Sequence, residues 1–184
     1  MNKPQFTILV PSRNRPNLIL DTLWSIQRQT FTDFEVFIID NGDEGQLCKE
    51  SVAEFLEDPR FNYLRTGGLA MPDNWEFAYE QGSGQYKMVL SDRLLWSTDE
   101  FLERLHQLLN THNAQMASWK YGQLNQAILT NSQRSRLPVV YQSDDVLHKF
   151  GAGDHEFYFQ TAPRGLNSCV RYDLLDRIKN KFGR

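Results

Sequence analysis

The stretch FTILVPSRNRP, Phe6 to Pro16, decides how the rest of the chain is read. Phe6 to Val10 is a short unbroken apolar run, the pattern of a strand buried on both faces. A polar cluster, Pro11 to Arg15, stops it. Pro16 then opens a helix at a position where its missing N–H does no harm. Ile19, Thr22, Leu23 and Ile26 fall on one face of that helix.

The same order of apolar run, polar cluster and helical pattern recurs downstream. Glu35 to Ile39 ends in DNGDEG, Asp40 to Gly45. Phe61 to Arg65 ends in TGG, Thr66 to Gly68. Tyr86 to Leu90 ends in SDR, Ser91 to Arg93. Between the second and third runs, Cys48, Val52, Phe55 and Leu56 repeat at i, i+4, i+7 and i+8, which predicts a helix over 46–57 that Asp58-Pro59 ends. A helix from Pro72 is expected to turn Trp75, Ala78 and Tyr79 inward, with Gly82 or Gly84 stopping it. Ser97 and Glu100 have the spacing of a capping box. The stripe Phe101, Leu102, Leu105, Leu108 and Leu109 follows.

This β-α-β-α order predicts an α/β fold: a Rossmann-like, mostly parallel sheet with helices on both faces. The carboxyl ends of parallel strands share one edge, and ligands bind in the crevice there. The polar clusters therefore read as one site built from several loops. Two acids, Asp40 and Asp92, and three arginines, Arg13, Arg15 and Arg93, suit an anionic, hydroxyl-rich ligand such as a nucleotide diphosphate.

Composition narrows the classes. The 184 residues suit one domain with a sizeable core. With 20 basic and 23 acidic residues the net charge is -3, which argues against a nucleic-acid-binding surface and a polybasic membrane patch. No apolar stretch approaches the ~20 residues that span a bilayer, so no integral membrane segment is expected. Cys48 and Cys169 have no metal-type spacing and suit a reduced, cytoplasmic setting, with peripheral attachment to a membrane left open. The chain also lacks a P-loop, a Gly-x-Ser-x-Gly nucleophile turn and a zinc cluster.

The regular alternation runs to about residue 112. Residues 113–184 form an irregular half. A strand over 116–121, a loop or irregular hairpin over 122–136, a short helix over 143–150, a strand over 167–171 and a helix over 172–181 are expected there.

Order, spacing and strand context together carry a resemblance. FTILVPSRNRP, FEVFIIDNGDEG and YLRTGGLAMPDNWEFAYEQGSGQYKMVLSD resemble the family 2 glycosyltransferases of the GT-A fold. NSCVRYDLLDRIKNKFGR is similar to a later part of such domains. The resemblance implies a single GT-A domain, 1–112 holding the nucleotide sugar and 113–184 serving the acceptor side. It implies transfer of a sugar from a nucleotide-diphosphate donor to a carbohydrate or other hydroxyl acceptor, with inversion.

Onto this sequence it carries Pro11, Ser12, Arg13 and Arg15 as the nucleotide-holding cluster. It carries Asp40 as the acid that accepts from base or ribose, and Gly67, Gly68, Ser91, Asp92 and Arg93 along the same edge. The family's Asp-x-Asp motif binds Mg²⁺ or Mn²⁺ on the donor diphosphate. Here Asp92 matches its first acid and Leu94 stands at the second. Either Arg93 or Arg15 serves the diphosphate as the cation, or Asp92 and the diphosphate oxygens still hold a metal.

Plainer readings stand beside these. Asp40 can cap a turn, Gly67 and Gly68 can merely permit one, and Trp75 suits a core. An inverting transfer needs a base, for which Asp154 in GDHEF is the candidate inside the chain. The resemblance also places KNKFGR upstream of the segment that commonly supplies the base. The alternative to an enzyme is thus a degenerate or truncated module that binds nucleotide sugar without turnover.

Overall fold

The computed structural model describes residues 3–44, 48–119, 123–125, 128–130 and 168–174. Strands β1 (Phe6–Ser12), β2 (Phe34–Asp40), β3 (Phe61–Arg65) and β4 (Tyr86–Val89) alternate with helices α1 (Ile19–Gln27), α2 (Met71–Glu80) and α3 (Phe101–Thr111). Strands β5 (Met116–Ser118), β6 (Gln123–Asn125), β7 (Ile128–Thr130) and β8 (Ser168–Arg171) follow. The main sheet has the order β3-β2-β1-β4-β8-β5. β1 pairs in parallel with β2 and β4, and β2 with β3, while β8 runs antiparallel to both β4 and β5. β6 and β7 form a separate antiparallel pair.

The pleat explains why the strand runs are apolar without a break. Phe6, Ile8 and Val10 of β1 join Tyr86 and Met88 of β4 in the larger core, beneath Ile19, Leu23 and Ile26 of α1 and Leu102, Leu105 and Leu109 of α3. Leu9, Ile39 and Val89 face the other way and pack with Ala78 of α2. Successive residues of β1 thus feed opposite layers. Lys87 is buried on the α2 side, and its Nζ donates to the carbonyls of Tyr79 (2.8 Å) and Gln81 (2.9 Å) where that helix ends.

Three local expectations change. In 46–57 the helix contracts to a 3₁₀ turn, Ala53–Glu57. Cys48, Val52 and Phe55 are buried as the spacing required, but the Cys48 N–H donates to Asp40 instead of entering a helical ladder. In α2 the residue turned fully inward beside Ala78 is Asn74, and Trp75 is half-buried. At α3 the N-cap is Glu100 and no side chain caps the first turn. The expected helix over 143–150, residues 175–181 of the helix expected over 172–181, and most of 122–136 lie outside the described residues. Among the described residues no helix is long and apolar enough to cross a membrane.

Candidate nucleotide-sugar site at the strand edge

The chain leaves β1 toward β2 and β3 on one side, then crosses to β4 on the other. The strand order therefore reverses between β1 and β4, and the crevice outside their carboxyl ends is the favoured ligand position in such a sheet. β1 runs two residues beyond its apolar run. Pro11 pairs with Ile39 and Ser12 with Asp40, so both are strand residues that deliver the arginine loop to this edge.

A polar bridge spans the switch point. The Ser12 hydroxyl donates to Asp92 Oδ2 at 2.9 Å. Arg15 Nη1 donates to both Asp92 oxygens, at 3.1 and 3.4 Å. The Ser91 hydroxyl lies 3.4 Å from Asp92 Oδ1. Asp92 is 1% exposed, whereas the Arg15 side chain is 41% exposed. The carboxylate is thus buried and paired, and the guanidinium reaches from it toward solvent.

A second cluster sits at the ends of β2 and β3. Asp40 accepts from the Gly42 N–H (2.9 Å), the Cys48 N–H (2.7 Å) and the Tyr63 hydroxyl (2.7 Å). Burial, then the hydrogen bond to Asp40, push the Tyr63 phenol well above its ordinary value. Asn41, expected from sequence to turn the chain with Gly42, ties the glycine loop to β2. Its amide donates to the Leu69 carbonyl (2.8 Å), and its oxygen accepts from the Leu69 N–H (2.7 Å) and lies 3.1 Å from the Thr66 hydroxyl oxygen. The Thr66 hydroxyl donates its hydrogen to the buried Asn74 (2.7 Å). Held this way, Gly67 and Gly68 adopt φ of 74° and 84°. A Cβ on either would meet nothing within 4 Å, so among the described residues this loop borders open space.

The two clusters are latched to each other. Asn14, at φ 57°, donates to Asp43 Oδ2 (2.7 Å), and its own oxygen accepts from the Asp43 N–H (2.8 Å). Asparagine is one of the few side chains that tolerates this backbone region, a signal the motif SRNR carried unread. The Asn14 bond, and then the charge of Arg13 at 3.3 Å, hold Asp43 below the usual carboxylate range. Arg13 is therefore half-committed to Asp43. Arg93 is exposed and has no hydrogen-bond or ionic partner among the described residues. The structure thus joins Ser12, Arg15, Ser91 and Asp92 in one cluster, and brings Asp40 beside the Gly67–Gly68 loop in another. Asp154 lies outside the described residues.

Residues 7–163 match the model of Glycosyl transferase family 2. The chain belongs to that family. A relative, Glycosyltransferase GlyA of Streptococcus pneumoniae serotype 4, is 25% identical over 127 residues, which cover 67% of this chain and 18% of GlyA. S. aureus TarS 1-349 superposes with a TM-score of 0.72 at 16% identity, over 95% of this chain and 49% of that one; it was also solved with UDP and with UDP-GlcNAc. The mannosyltransferase PcManGT from Pyrobaculum calidifontis, solved with GDP-Man and Mn²⁺, gives 0.63 at 17% identity, over 97% of this chain and 47% of that one. The fold is thus the GT-A fold of glycosyltransferases, and the chain spans about half the length of these solved neighbours and less than a fifth of GlyA.

The family's divalent ion fits these residues poorly. Asp92, expected as its ligand, already accepts from Ser12 and Arg15 through both oxygens. Leu94, where the second acid would stand, packs partly buried against the core. Among the described residues no group of three or more His, Cys, Asp or Glu side chains could hold a metal. An ion bound to Asp92 would sit within roughly 5 Å of the Arg15 guanidinium, where a double charge against a single one costs several kcal/mol even at an effective dielectric of about 20.

Proposed function

We propose that this chain binds a nucleotide-diphosphate sugar along the carboxyl edge of β1 to β4 and transfers the sugar to an acceptor hydroxyl with inversion. The observation that carries the reading is the bridge of Ser12, Arg15 and Asp92 across the topological switch point. The nucleotide sugars in the TarS and PcManGT structures support the donor class. Pro11, Ser12, Arg13 and Arg15 form the nucleotide-side wall. Ser91, Asp92 and Arg93 close it from β4. Asp40, with three of its roughly four acceptor positions used, accepts from the base or ribose with the one that remains. Gly67 and Gly68 let backbone approach the ligand without side-chain interference.

In the transfer the acceptor oxygen attacks the anomeric carbon as the bond to the diphosphate oxygen breaks. The acceptor proton leaves to a base, for which Asp154 is the candidate in this chain. Charge then grows on the leaving diphosphate, where fixed guanidinium donors act more strongly than on the ground state. Both cysteines are free and buried, which suits a cytoplasmic setting.

A second reading has its own observation. With Leu94 at the second acid position and Asp92 already paired, the domain can keep donor binding and lack turnover. One pair of assays tests both readings. A thermal-shift series against UDP, GDP and their sugars is expected to stabilise the protein by about 2.7 kcal/mol at a hundredfold excess over Kd. Nucleotide release in the presence of sugar acceptors separates an enzyme from a binding module. No shift with any nucleotide at saturating concentration removes both.

A further inference from the structure

We propose that Arg15, held on Asp92, stands in for the divalent cation of the family, so that a nucleoside diphosphate binds this chain without a metal ion. The inference rests on the nucleotide-sugar reading above and adds which group receives the diphosphate charge.

Three observations converge on Arg15. Its Nη1 alone makes the contacts to Asp92, and among the described residues Nε and Nη2 have no partner. A guanidinium carries five N–H donors in a rigid fork, so several remain for phosphate oxygens. Its anchor is a carboxylate 1% exposed and further fixed by the Ser12 hydroxyl. The fork is therefore oriented before the ligand arrives, which lowers the ordering cost of binding. The pair also lies between the ends of β1 and β4, at the place where a metal would otherwise join Asp92 to the diphosphate.

The other arginines of the edge are built differently. Arg13 is engaged with Asp43 in an exposed pair. Arg93 is exposed and unanchored among the described residues, so each of its phosphate contacts must first order a free side chain. Leu94 completes the argument, because an apolar side chain at the second acid position leaves no second oxygen ligand beside Asp92.

Calorimetric titration of the intact chain with UDP and with GDP, in EDTA and in Mn²⁺, tests the proposal. The wild type is expected to bind one of them with a Kd that changes by no more than about threefold between the two buffers. Arg15→Gln is expected to weaken binding in EDTA by about tenfold or more, and Arg15→Lys, which keeps the charge and loses the fork, by an intermediate factor. Arg93→Ala is expected to weaken it by a smaller factor than Arg15→Gln does. Unfolding scans without ligand report whether each variant is folded; if Arg15→Gln is not, the wild-type comparison and Arg15→Lys carry the test.

Binding that needs Mn²⁺ and vanishes in EDTA overturns the proposal and leaves the nucleotide site standing. A neutral Arg15→Gln beside a damaging Arg93→Ala overturns the assignment to Arg15. Absence of binding in either buffer removes the proposal together with the reading beneath it.

Discussion

Asp40 closes β2 with three donors on its buried carboxylate. From sequence it read either as a nucleotide contact or as a turn residue. The hydrogen bond from the Gly42 N–H is the turn, and the bond from the Cys48 N–H anchors the far end of the loop that follows. Asp40→Asn presents an amide N–H₂ to at least one of these donors. It is expected to cost about 1.5–3 kcal/mol of stability, measured by urea unfolding, because the bonds lost are to a charged acceptor. An unchanged midpoint would make the carboxylate dispensable to the loop. Asn41 is the comparable residue for the glycine loop. Asn41→Ala leaves both the N–H and the carbonyl of Leu69 without their side-chain partner, and is expected to cost about 1–3 kcal/mol in the same measurement. The turn at Asp40 was among the sequence readings, but the tie from Asn41 to Leu69 was not, since a side chain's backbone partners across 28 residues of sequence leave no mark on local spacing.

At the scale of elements, glycines separate packing from ligand approach. A Cβ on Gly84 would lie 2.5 Å from the Thr7 backbone nitrogen and 2.7 Å from the Phe6 carbonyl carbon. β1 and the turn into β4 cannot both keep their positions, so Gly84→Ala is expected to destabilise by about 1–3 kcal/mol or more in a denaturant titration. Gly68→Ala faces open space and incurs only the strain of positive φ, about 1–2 kcal/mol. Its larger effect is expected on nucleotide affinity, read by the calorimetric titration. Equal stability losses at the two positions, with affinity untouched by Gly68→Ala, would mean that the glycine loop serves the fold alone.

The strands were legible because a strand buried on both faces must be apolar throughout, as Phe6 to Val10 is. The 3₁₀ turn was misread as a helix because Cys48, Val52 and Phe55 are all buried, and burial alone generates the spacing that predicted one. In α2 the reading chose Trp75 over Asn74 by hydrophobicity, whereas the position beside Ala78 is filled by the side chain that Thr66 can donate to.

The whole molecule carries buried thiols beneath this edge, and they give it a pH signature. Burial pushes the Cys169 thiol up from an ordinary value of 9.0 to about 12. Burial, then the Asp40 charge, move Cys48 in the same direction. The unfolded chain releases these protons first as pH rises. Stability is therefore full below about 9 and falls toward 12, by up to about 1.4 kcal/mol per pH unit for each such thiol. Urea unfolding at pH 8, 9 and 10 is expected to show this decline, with a shallower slope in Cys169→Ala. Parallel slopes in the two proteins would mean that this thiol is not shielded.

On the same scale, the edge where β1 to β4 end was the most legible part of the site. Four polar clusters after four apolar runs need only a parallel sheet to become neighbours. What the sequence left open was which arginine pairs with Asp92, because that contact joins positions 77 residues apart.

Hydrogen–deuterium exchange with and without the nucleoside diphosphate that gives the largest thermal shift tests the strand-edge site most directly. Slowed exchange is expected in residues 12–17, 41–44, 66–70 and 91–95, with little change in α3 or β5. Tight nucleotide binding that protects other segments and leaves these four loops unchanged would contradict a donor site at the switch point.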